Sequence, residues 1–182
     1  VEKRNDRLKA KQLRREGIVP CCVYGGELPD AISIQMDGKT AEKLLREKRV
    51  GSKVQLMLGD RVIPAQIKDE DRNFTDSGIL HISFQALDAE QKVNSVAHII
   101  LKNIETVTGI LERMLMEIPY ASLPKDMIDT VTVDLEDMAI GTILTVKDIP
   151  EFTDDNIELQ VDPESIVLRI NDRRRVAASG DE

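Results

Sequence analysis

The fourteen residues LRREGIVPCCVYGG, Leu13 to Gly26, constrain this fold more than any other stretch. A basic helical segment runs into Pro20, a short apolar strand closes at Tyr24, and Gly25-Gly26 turns the chain at once. The spacing predicts helix, proline break, strand and tight turn in succession, since proline lacks the N–H that a helix interior needs and paired glycines accept positive φ. Lys9, Lys11, Arg14 and Arg15 crowd the helix. Positive charge is thereby held against a rigid turn, a layout suited to a phosphate backbone. Cys21 and Cys22, the only cysteines, are strand neighbours and point to opposite faces. That excludes a disulfide framework or a zinc site and leaves them as buried thiols.

Strand signals dominate the chain beyond Gly26. ISIQM (32–36) alternates, Asp37 caps a helix over 39–48 with Ala41, Leu44 and Leu45 as its apolar stripe, and Gly51 ends it. VQLML (54–58) and RVIPAQI (61–67) read as a hairpin around Gly59-Asp60, with Pro64 at an edge or bulge. An acidic loop, 69–78, leads into the strand GILHISFQAL. The second half reads as strands at 96–101, 110–118, 131–135, 143–146, 157–161 and 165–170, with 111–118 also able to form a helix by its spacing, punctuated by Pro119, Pro124, Pro150 and Pro163. The expected class is α+β, mostly β. A small domain over 1–90 is succeeded by a β-rich domain over 91–171 and a flexible tail over 172–182.

The net charge of −8 is unevenly spread. Residues 1–90 hold sixteen Lys and Arg against fifteen Asp and Glu, whereas residues 91–182 hold nine against eighteen. A basic patch on a neutral first half is compatible with RNA, while the acidic second half faces solvent or protein. No phosphate loop, nucleophile elbow, metal helix or dinucleotide fingerprint occurs, and His81 and His98 are the only histidines. The expectation is no enzyme, no cofactor, no metal and no small-molecule substrate. Nothing approaches the roughly 20 apolar residues of a membrane span, and the first residues are charged, so a cytoplasmic protein is expected.

Leu13, Arg14, Gly17, Pro20, Tyr24 and Gly25, with Leu80, His81 and Phe84 later, form a pattern. The chain thereby resembles the bacterial large-subunit ribosomal proteins that bind 5S rRNA, the family that includes the two-domain general stress protein Ctc. The likeness continues from Leu123-Pro124 through VTVDLEDMAIGT to Val146–Pro150. It implies a small β-barrel RNA-binding domain with short helices, whose sheet and basic segment hold the shallow groove of a 5S rRNA helix. Partners implied are 5S rRNA and other large-subunit proteins. Carried over by position, Lys11, Arg14, Tyr24 and His81 are the expected RNA ligands, Arg4 and Arg15 come next, and Lys9, Lys68 and Arg72 complete the set. Val1 enters at the end of the family's first strand, so a few preceding residues are expected.

The departures are specific. Arg7, Leu8 and Lys9 replace a flexible Gly-Lys-Gly element, Gln12 stands where the family has a second arginine, Asp71 replaces a glutamine and Ser83 an aspartate. Asp71 puts negative charge where RNA should approach. The alternative reading is therefore a divergent paralogue, a protein-interaction or stress-response module with weak or no 5S rRNA binding.

Overall fold

A computed structural model describes residues 1–172, so the tail expected over 172–182 lies outside the described residues except for Asp172. The chain divides into two compact units, Val1–Ser95 with Leu123–Met127, and Val96–Ser122 with the residues from Ile128 on.

The first unit is a curled six-stranded sheet with two helices. Its elements are β1 (Glu2–Lys3), α1 (Ala10–Arg15), β2 (Ile18–Tyr24), β3 (Ile32–Asp37), α2 (Gly38–Glu47), β4 (Lys53–Leu58), β5 (Arg61–Arg72) and β6 (Ile79–Ala86). The strand order is β1-β3-β2-β6-β5-β4, antiparallel except for the parallel pair β2–β6. The edges approach each other: Val1 N donates to Met57 O at 3.0 Å, which brings the start of β1 to β4. Alternate residues point inward, and Val23, Ile34, Ile67, Ile82 and Phe84 are sealed from solvent. Each such side chain contributes roughly 1.5–3 kcal/mol through burial. Asp37 caps α2 as expected, accepting from Thr40 N at 3.1 Å.

Local expectations change in four places. α1 ends at Arg15 with Glu16 as its C-cap, the chain turns at Gly17, whose φ is +76°, and Pro20 lies inside β2 rather than breaking the helix. α2 ends at Glu47, with Lys48 as its C-cap, so Gly51 lies beyond it. The first four residues of the acidic loop are strand, because β5 runs on to Arg72 through register shifts between Ile67 and Asp69 and between Asp71 and Arg72. Pro64 lies on an internal strand, at the end of the β5–β6 ladder, where its carbonyl accepts from Leu87 N at 2.8 Å and its ring nitrogen has nothing to give.

β7 (Val93–Lys102) carries the chain from the first unit into the second. The second unit adds β8 (Ile110–Arg113), β9 (Glu117–Ser122), β10 (Thr130–Asp134), β11 (Ile143–Thr145), β12 (Glu158–Leu159) and β13 (Ile166–Asn171). They form one sheet ordered β10-β7-β9-β12 and another ordered β11-β13-β8. The single strand expected over 110–118 is thus two strands in different sheets. Met114 N and Leu115 N both donate to Val167 O, at 2.9 and 3.1 Å, which ends one ladder and lets the chain cross over. The strand expected over 157–161 shrinks to two residues. At the centre of this unit Tyr120 is fully buried; its hydroxyl donates to Ile128 O at 2.9 Å and accepts from Ile128 N at 2.7 Å. Phe152 tilts against its ring at 6.0 Å.

Candidate nucleic-acid interface

Helix α1 is only six residues long, too short to persist unaided, and is held by three devices. The Gln12 side chain accepts from Lys9 N at 3.1 Å and closes the first turn. The residue that departs from the family's arginine therefore has a capping role. Leu13 is fully buried and anchors the helix to the body of the unit. Arg14 Nε donates to the carbonyl of Leu80 at 3.0 Å, which pins the helix to the start of β6. Lys9, Lys11, Arg14 and Arg15 are exposed.

The outer face of the sheet is set by the registers, because residues paired across a ladder share a face. Cys22 pairs with Ser33 on β3 and with Ser83 on β6, and Ser83 pairs with Asp69 on β5. One row toward Gly25, Tyr24 pairs with Gln85 and Gln85 with Gln66; on the opposite side, His81 pairs with Asp71. Tyr24, Ser83 and His81 thus share one face. Tyr24 and His81 lie four residues apart along it, about 13 Å at roughly 3.3 Å per residue. Ser83 Oγ lies 3.4 Å from His81 Nδ1 and receives the Cys22 thiol at 3.7 Å, so the centre of the face is a short polar chain. Tyr24 is 37% exposed; burial first, then Cys22 and Asp69, push its phenol above the ordinary 10.0, which keeps it a neutral O–H donor.

The remaining expected ligands divide. Lys68, at the first bulge, donates to Asn94 O at 3.2 Å, and Gln66 donates to the same oxygen and to Gln85, both at 3.0 Å. Lys68 therefore stands at the Tyr24 end of the face. Gln66 Oε1 is buried and has no hydrogen-bond partner among the described residues. Arg4 N donates to Ser33 O at 3.1 Å, which sets Arg4 beside the Cys22 row, and its buried Nε is likewise without a partner. Arg72 is not gathered with the others. The second bulge pairs it with the buried Ile79; its guanidinium is tied to Glu70 at 3.2 Å and to Ser77 O, and it lies beside Glu42, Leu45 and Arg46 near α2.

Ser33, Asp69 and Gln85 belong to the face but are missed by motif reading, whereas Gln66 lies on the same side of the sheet fully buried. Period-two alternation along ISIQM and ILHISFQA marks Ser33 and Gln85. Asp69 is hidden because the bulge at Lys68 shifts the parity of β5. Among the described residues no group of His, Cys, Asp and Glu is placed to hold a metal ion.

Comparison with known proteins agrees with this architecture. Residues 1–84 match the Ribosomal L25p family and residues 77–174 match the family described as Ribosomal protein TL5, C-terminal domain. A large ribosomal subunit protein bL25 from Caldanaerobacter subterraneus is 26% identical over 93% of this chain and 86% of its own length. The bL25 of Desulfitobacterium hafniense is 27% identical over 91% and 93%, and that of Pseudoalteromonas translucida 30% identical over 77% and 70%. Two family matches that together span nearly all of the chain, with relatives aligned through both units, mean that it belongs to the Ribosomal L25p family, in the long form that carries the TL5-type C-terminal domain.

Proposed function

We propose that this protein is a structural component, not an enzyme, of the bacterial large ribosomal subunit in the cytoplasm, and that its first unit binds 5S rRNA. One observation carries the reading: Tyr24, Ser83 and His81 share the outer face of a single sheet, and Arg14 is bonded to the residue just before His81. The basic helix therefore borders a polar face broad enough for a shallow RNA groove. RNA helices are read there through shape, ribose hydroxyls and phosphates, which suits hydroxyl, imidazole and amide groups in the middle and cations at the rim. Lys9, Lys11, Arg14 and Arg15 supply the rim on one side, Lys68 on the other, and Arg4 a further guanidinium. Arg72, neutralised by Glu70, is left out of the contact set.

The test is a titration of the full chain with 5S rRNA at two salt concentrations. Affinity should fall steeply with salt, and Lys11→Ala should reduce the slope by about one released counterion. Wild-type binding no stronger than to an unrelated RNA of equal length would sink the proposal. That outcome would instead support the divergent, protein-binding reading, which Asp69 and Asp71 on the same face favour.

A further inference from the structure

Pro20 sits in the middle of a sheet, where a residue without an N–H leaves a rung unmade. The register shows which rung. Gly38 N donates to Gly17 O at 2.7 Å, a bond that flanks the Ile18–Asp37 pair and makes it a non-hydrogen-bonded pair of the β2–β3 ladder. Alternation then makes Val19–Met36 a bonded pair and Pro20–Gln35 another unbonded one. The Pro20 nitrogen therefore faces away from β3, toward β6. In the parallel β2–β6 ladder Cys22 is level with Ser83, so residue 20 is level with His81. A residue level with His81 gives its N–H to the carbonyl one position earlier, which is Leu80 O. That carbonyl is the one Arg14 Nε occupies at 3.0 Å.

We infer that Pro20 is a positioning residue for the RNA interface: by withholding the backbone donor, it reserves Leu80 O for Arg14. The reserved carbonyl engages the guanidinium through Nε alone and leaves its two terminal nitrogens to donate elsewhere. The geometry suits a planar cation with five N–H groups and not lysine, which has a single terminal nitrogen. A side chain fixed before binding loses less rotamer freedom when a phosphate arrives. The inference rests on the proposed RNA-binding function, and one arm of its test does not.

The experiment compares wild type, Arg14→Ala, Pro20→Val and the double variant, all as full chains, by thermal unfolding and by 5S rRNA titration at two salt concentrations. Valine at 20 restores an N–H whose acceptor is already in place, so Pro20→Val should fold, lose about five-fold in affinity and flatten the salt slope, because Arg14 is displaced. Arg14→Ala should lower both Tm and affinity, since it strands the Leu80 carbonyl. Adding Pro20→Val to Arg14→Ala should restore Tm and leave affinity low, a separation that a purely structural proline does not produce. Wild-type affinity and salt slope in Pro20→Val, failure of that variant to fold, or no rescue of Tm in the double variant would each overturn the inference. If the wild-type chain does not bind 5S rRNA, the functional proposal fails by itself, and the Tm rescue still decides whether residue 20 and Arg14 compete for Leu80 O.

Discussion

Asp71 stands directly opposite His81 across the antiparallel β5–β6 ladder, so the face that presents the histidine also presents a carboxylate. Side chains in such a pair have Cβ atoms about 5 Å apart. A phosphate approaching His81 therefore meets Asp71 as well. Asp71→Gln should strengthen 5S rRNA binding by about three- to five-fold at low salt and by less at high salt, because an exposed charge is screened. Unchanged affinity at both salt concentrations would place the RNA away from this end of the face.

Gly17 and Gly38 make a close crossing at the join of α1, β2 and α2, and the two should respond differently to alanine. A Cβ on Gly38 would lie 2.8 Å from Gly17 O, a backbone atom that can move only with the Gly38 N–H bond it accepts. Gly17 has open space around it but a φ of +76°. Gly38→Ala should cost about 1–3 kcal/mol through overpacking and Gly17→Ala about 1–2 kcal/mol through backbone strain alone. Denaturant titration of both variants gives the comparison, and an unchanged midpoint for Gly38→Ala would contradict the contact.

Cys21 and Cys22 provide an internal control on the inward and outward faces of β2. Burial pushes the Cys21 thiol from 9.0 up to about 12, with the Ile82 backbone hydrogen bond opposing and Cys22 adding to the rise, whereas Cys22 is half-exposed. A thiol reagent at pH 8 should modify one equivalent, Cys22, in the native protein and the second only on unfolding. Because the folded value is raised, the stability from keeping Cys21 neutral is complete below pH 9.0 and is lost as pH climbs toward about 12. Two equivalents reacting at equal rates would show that β2 is not packed in this register.

In the second unit, Tyr120→Phe keeps the ring against Phe152 but leaves Ile128 N and Ile128 O without the hydroxyl that serves both. The expected loss is about 1–3 kcal/mol with little change in RNA affinity. A stability change below a few tenths of a kcal/mol would show that water replaces the hydroxyl.

How much was legible in the sequence depended on the range of the interaction. The hairpin at Gly59-Asp60, the Asp37 cap and the strand over ILHISFQA are short-range patterns, and the structure keeps all three. Family resemblance marked Tyr24 and His81, but only pairing between β2 and β6 puts them on one face. Arg72 looked equivalent to Lys68 in composition. A one-residue bulge separates them, and bulges leave no periodic signal when both flanks are polar. The split of residues 110–118 was equally hidden, since the apolar run through Met114, Leu115 and Met116 fits one continuous strand or a helix, and the separation depends on Val167, some fifty positions later.

The bond between Arg14 and Leu80 spans 66 positions, and the parallel partner of β2 arrives only with Ile82–Gln85. During synthesis the basic helix and Tyr24 thus emerge long before the strand that orients them. Until β6 is made, β2 has only β3 as its partner, and Tyr24 and His81 share no face. The face shared by Tyr24, Ser83 and His81 is consequently a property of the finished first unit, and a chain that stops before β6 lacks it although it already carries most of the positive charge.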